Sequence, residues 1–177
     1  MNPIVRRALP RRGTLLVAAA MASACARGAP EVPAVDSRPT PEVPVAGSVS
    51  LERGPCYGTC PVYKLSVELS GAVWFEGRRF VADTGVSTAT VPAARVDSLL
   101  AELEAAGYFR LADRYTMGEP GCDRYATDLP TVIIELRAGG RTKRVEHDHG
   151  CAGAPAALSA MERRIDEVAG VGRWVGE

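Results

Sequence analysis

One pattern occurs twice along the chain and constrains the fold more than any other feature. Val62-Tyr63-Lys64-Leu65-Ser66-Val67-Glu68-Leu69 alternates, with Tyr63, Leu65, Val67 and Leu69 on one face and Lys64, Ser66 and Glu68 on the other, the period of a half-buried strand. Ser70-Gly71 turns the chain, and Val73-Trp74-Phe75-Glu76 starts a returning strand that continues near Arg79-Phe80-Val81. Pro92 then leads a helix in which Val96, Leu99, Leu100, Leu103 and Ala106 recur at helical spacing until Gly107. The order repeats with Pro130, the strand Thr131-Val132-Ile133-Ile134-Glu135-Leu136, the turn Gly139-Gly140 and a returning strand from Lys143 to His147. Pro155 opens a second helix with Leu158, Met161, Ile165 and Val168 on one face, ended near Gly170. Each half is a ββα unit. The sequence therefore predicts an α+β domain in which two ββα units form a four-stranded antiparallel sheet with both helices packed on one face. Trp74 and Phe75 are expected to serve the core; the alternative is one aromatic left on the open face as a docking surface. Arg173-Trp174-Val175-Gly176 is expected to fold back over the sheet as a last strand or cap.

Ahead of this domain, residues 1–24 read as an export signal. Arg6, Arg7, Arg11 and Arg12 form a positive stretch without an acid, Thr14 to Met21 is apolar, and the small residues Ala22-Ser23-Ala24 lead to Cys25. With the small residues to Ala24 included, the run spans about 11 residues, whereas a bilayer-spanning helix needs about 20. Ala-Ser-Ala-Cys resembles a lipobox, with Ala22 where leucine is usual, so Cys25 is the predicted lipidation site. The alternative is an ordinary secretory signal with a cysteine beside the cleavage site. The arginines also faintly resemble a twin-arginine signal. Acyl chains contribute about 0.8 kcal/mol per buried methylene, so several chains hold a protein in a leaflet. Ala26, a residue other than aspartate, suggests the outer membrane by resemblance to enterobacterial sorting.

Residues 25–47 carry Pro30, Pro33, Pro39, Pro41 and Pro44 and no apolar periodicity. Proline locks φ and removes backbone donors, so this stretch is expected to be an extended tether reaching up to roughly 60 Å. Residues 48–177 are left as the single α+β domain. Four of the 21 basic residues lie in residues 1–24, which leaves 17 against 21 acidic ones, a net charge of −4. A mildly acidic mature chain argues against nucleic acid as a partner.

Pro55-Cys56-Tyr57-Gly58-Thr59-Cys60-Pro61-Val62-Tyr63 resembles the opening motif of a bacterial family known as domain of unknown function 6438. Gly71, Glu76-Gly77, Tyr108-Phe109 and Thr127-Asp128-Leu129-Pro130 also resemble it, so the likeness covers roughly residues 50–168. The resemblance implies a domain that often follows an export or lipoprotein signal, and it brings no activity or site residue with it. Many members lack counterparts of Cys122 and Cys151, an extra pair here. With Cys25 set aside, Cys56, Cys60, Cys122 and Cys151 remain, an even count suited to two bridges in an oxidising compartment. Of the three pairings, Cys56–Cys60 with Cys122–Cys151 is favoured. The family motif carries the first two as a unit, and the second two flank the second hairpin.

Two sharper chemistries stay open. Cys56 and Cys60 would exchange thiols if one had a lowered pKa, but no basic residue lies between them and their spacing is not Cys-x-x-Cys. His147, His149 and Cys151 alternate, so a continuing strand would place them on one face as zinc or copper ligands near Cys122. A bridge would consume those thiols, so no cofactor is expected and His147 and His149 stand only as candidate ligands. There is no Gly-x-Ser-x-Gly, His-Glu-x-x-His or phosphate loop, and Asp123 and Asp128 in one loop do not make a mechanism. The expectation is a lipid-anchored protein of the cell envelope, most simply of the outer membrane, that meets the membrane through its lipid. Its domain is read as a non-catalytic binding or structural module for another envelope protein or a peptide. The alternative is a small metal-binding or thiol-redox envelope protein.

Overall fold

The computed structural model describes residues 47–176; Cys25, the signal and the tether up to residue 46 lie outside the described residues. Seven strands form one sheet: β1 (Ser48–Arg53), β2 (Val62–Glu68), β3 (Ala72–Arg79), β4 (Gly85–Thr90), β5 (Arg114–Tyr115), β6 (Thr131–Ala138) and β7 (Arg141–Asp148). Three helices accompany them: α1 (Ala93–Ala105), α2 (Ala156–Ala169) and the short α3 (Gly172–Val175). The strand order is β4-β3-β2-β1-β6-β7-β5. Every neighbouring pair is antiparallel except β5 with β7.

The α+β class stands, but the expected four-stranded sheet with two helices is overturned by this seven-stranded mixed sheet with three. The largest change is β1. The β2–β3 and β6–β7 hairpins do not pair with each other, because β1 lies between them. Its residues pair with β2 from Ser48↔Glu68 to Arg53↔Tyr63 and with β6 from Ser48↔Arg137 to Arg53↔Val132. Two hairpins laid side by side would each offer an open row of backbone N–H and C=O groups, and a strand inserted between them satisfies both rows. β1 contributes only two apolar side chains, Val49 and Leu51, yet both are buried. β4 extends the other hairpin into a meander, and none of its residues is fully buried, as suits an edge. The returning strand thus ends at Arg79, and Phe80, with φ 54°, sits in the turn before β4.

Both helices cover one face of the sheet. Val96, Leu99, Leu100 and Leu103 of α1 and Leu158, Met161, Ile165 and Val168 of α2 are buried against Leu51, Leu65, Phe75, Ile134 and their neighbours. The two aromatics of β3 divide. Phe75 is buried and stacks on Trp174 of α3 with ring centroids 4.8 Å apart, so the C-terminal residues cap the core as a helical turn. Trp74 is 36% exposed on the opposite face, which is otherwise paved with ion pairs such as Lys64–Glu52 at 2.7 Å and Arg137–Glu135 at 2.8 Å. Gly71 is required where α1 departs: its φ is 92°, and a Cβ there would lie 2.1 Å from the Val91 carbonyl oxygen.

Candidate functional site

The strand registers place one row of side chains across the covered face. It runs Tyr63, Arg53, Val132, His147, Tyr115, because Arg53 pairs with Tyr63 and Val132, Val132 with His147, and His147 with Tyr115. Four of these five, all but Val132, can carry charge or a hydrogen bond, whereas the adjacent row of Phe75, Leu65, Leu51, Ile134 and Val145 is wholly apolar. α2 meets this row with two acids one helical turn apart, Glu162 and Asp166.

The acids divide the partners between them. Arg53 donates from Nη2 to Asp166 Oδ2 at 2.5 Å and from Nε to the Tyr63 hydroxyl at 2.8 Å. That hydroxyl donates in turn to Asp166 Oδ1 at 2.8 Å. Glu162, 1% exposed, meets His147 Nδ1 at 2.6 Å through Oε1 and His149 Nε2 at 2.8 Å through Oε2. Arg53 Nη1 lies 3.8 Å from Glu162 Oε2 and links the two groups. A charge taken out of water costs several kcal/mol unless it is paired and hydrogen-bonded. Among the described residues no buried side-chain nitrogen or oxygen lacks a partner.

The environment sets the protonation of each member. Burial alone would raise the Glu162 carboxyl, but the bonds and charge of His147 and His149 outweigh it and hold it down at about 2. Burial pushes the Asp166 carboxyl up, against the pull of Arg53 and Tyr63. Burial and then Asp166 drive the Tyr63 hydroxyl well above its ordinary range, so it stays a donor. Burial works to lower the Arg53 guanidinium, and Asp166 more than reverses it, so the charge persists.

Beside this cluster lies a cleft of about 770 Å³ between α2, α3 and the start of β2. Arg53, Tyr63, Asp166 and His149 reach it from the cluster; Cys60, Pro61, Pro130, Arg163 and Arg173 form other parts of its wall. The loop carrying Cys60 is pinned at its start by Gly54 N–H donating to Thr131 O at 2.8 Å and at its middle by Tyr57 N–H donating to Asp128 O at 3.1 Å.

Two cysteine pairs are joined. Cys56 and Cys60 have Cα atoms 5.8 Å apart, and Cys122 and Cys151 have theirs 4.8 Å apart. The second bridge ties the loop before β6 to the end of β7, beside Ala126 N–H donating to Gly150 O at 2.9 Å. With their thiols in a disulfide, Cys122 and Cys151 are not ligands partnering the histidines. The histidines themselves converge, with ring centroids 4.6 Å apart. His147, His149 and Glu162 place three possible ligand atoms within 4.8 Å of one another. Asp123 and Asp128 lie exposed in the loop.

Sequence reasoning missed Arg53, Tyr63, Glu162 and Asp166 as members of a site. A signal existed for the acids. Glu162 stands four residues after Leu158 and three before Ile165, inside the apolar stripe of α2, and an acid there must find a buried partner. A comparison with curated proteins finds no match. The model of one family, described as Domain of unknown function (DUF6438), matches residues 47–169, and the chain belongs to that family.

Proposed function

We propose that this is a lipid-anchored protein of the bacterial cell envelope, held in the outer membrane at Cys25, whose domain is a non-catalytic binding module. Its partner is an envelope protein or a peptide that docks in the cleft beside α2. The observation that carries this reading is the cleft itself. At about 770 Å³ it has the size of a pocket that takes a few side chains. Pro61, Pro130, Val171 and Val175 give it an apolar lining, and Arg163 and Arg173 add positive charge. Tyr57, 88% exposed on the disulfide-held loop nearby, is an aromatic anchor of the type enriched at interfaces. Arg53, Tyr63 and Asp166 use their bonds on one another, which suits a rigid wall better than a reacting group.

The test has two parts. Cells making the full chain are labelled with radioactive palmitate and fractionated. Label and membrane retention are expected for the native chain and loss of both for Cys25→Ser; a labelled Cys25→Ser chain would rule out that anchor. A photo-crosslinking residue is then placed at position 163 or, on the opposite face, at position 74. A discrete adduct from position 163, competed by excess purified domain, is expected. Equal adducts from both positions, or none from 163, would remove the cleft as the docking place.

A further inference from the structure

We propose that His147, His149 and Glu162 form a zinc site, a reading independent of the docking role given to the cleft. The three side chains come from two elements, β7 with its continuation and α2, and their ligand atoms all lie within 4.8 Å of one another. Two imidazole nitrogens and one carboxylate are the donor set of open zinc sites, which bind the ion through three side chains and leave a fourth position free. Zinc–ligand distances of about 2.0–2.2 Å require ligand atoms roughly 3.3–3.6 Å apart in a tetrahedron. The His147–Glu162 and His149–Glu162 contacts are shorter than that, so the set opens slightly to admit an ion. His149 is the member free to adjust, since it is 29% exposed while His147 and Glu162 are held in the core.

Two further observations favour an ion. Each carboxylate oxygen of Glu162 faces one imidazole nitrogen, Oε1 that of His147 at 2.6 Å and Oε2 that of His149 at 2.8 Å, so both rings already present a ligand atom to the same carboxylate. His149 also lines the cleft, so the free position opens toward solvent and not into the core. On binding, each facing nitrogen gives up its proton, to the ring's other nitrogen or to solvent, and its lone pair takes the metal.

The test uses the full chain, purified oxidised, stripped with chelator and titrated with zinc chloride by calorimetry. Metal content is read by elemental analysis and free thiols by a colorimetric reagent. One zinc per chain with no free thiol beyond Cys25 is expected, as is at least 100-fold weaker binding by His149→Ala. Cobalt substitution should give the visible bands of a tetrahedral ion. Glu162→Gln is expected to lose zinc as well; if it does not fold, the half-exposed His149→Ala, with its melting temperature as control, carries the test alone. No zinc on the native chain, equal binding by His149→Ala, or zinc taken up only after reduction would each overturn the site.

Discussion

Glu162 exchanges water for two imidazoles and, at a longer distance, a guanidinium. Its carboxyl is held at about 2 against an ordinary 4.5. The folded value is the lower one, so the stabilisation is complete above pH 4.5 and is lost as the pH falls toward 2. The difference corresponds to about 3 kcal/mol, with little loss to solvent because the side chain is 2% exposed. In buffer with chelator, urea unfolding from pH 6 to pH 2 should show the native domain losing about 3 kcal/mol more than Glu162→Gln. Parallel pH profiles would show that the histidines do not hold this carboxyl down. Tyr63→Phe removes a donor from Asp166 and an acceptor from Arg53, so it should cost about 2 kcal/mol in the same measurement. Little of this was legible beforehand. Only the place of Glu162 inside the apolar stripe of α2 hinted at it, and Arg53 and Tyr63 meet only through a strand pairing that no local pattern announces. His147 and His149 were visible as a pair because their spacing of two puts them on one side of a strand.

The elements differ in how strongly they announce themselves. β2, β3 and β6 bury two or more apolar side chains at alternate positions, β7 buries Val145 and His147 at alternate positions, and α1 and α2 carry four-membered stripes, so their periods stand out from their flanks. β1 has two apolar residues, β4 buries none and β5 is two residues long. These three are strands because their neighbours offer open edges, which is a tertiary cause with no local signature. The bridges belong to the same scale. Cys122 and Cys151 are 29 positions apart and Cys56 and Cys60 only 4. On the chain-entropy account, replacing the long-range pair by serines should cost about 3–4 kcal/mol and replacing the short-range pair about 2 kcal/mol. Thermal melts of the two double variants check the order, and a larger loss from the Cys56–Cys60 pair would contradict it.

For the domain as a whole, the first of the described strands is the middle strand of the sheet. Its pairing with β6 joins residues far apart in sequence, so the two hairpin-and-helix units depend on it for their mutual alignment. A chain that begins at Pro55 keeps both hairpins and all three helices but loses Val49, Leu51 and Arg53. It should show no cooperative melt and no near-ultraviolet circular dichroism, because each hairpin is left with an open edge and a void where Leu51 was. A truncated chain that still melts cooperatively would show that the hairpins can close on each other. Arg53 lies in the same strand, so the truncation should also release Asp166 and Tyr63 from their shared bonds.

The position of β1 also decides how the domain bears a load. Any pull delivered through the chain ahead of Gly47 enters at Ser48 and runs along the axis of the central strand. The hydrogen bonds on its two sides, to β2 and to β6, lie across that axis. They are therefore strained together, as rivets along a seam are, instead of opening singly like a zip. A domain suspended by this end would hold its shape under tension until both seams yield at once.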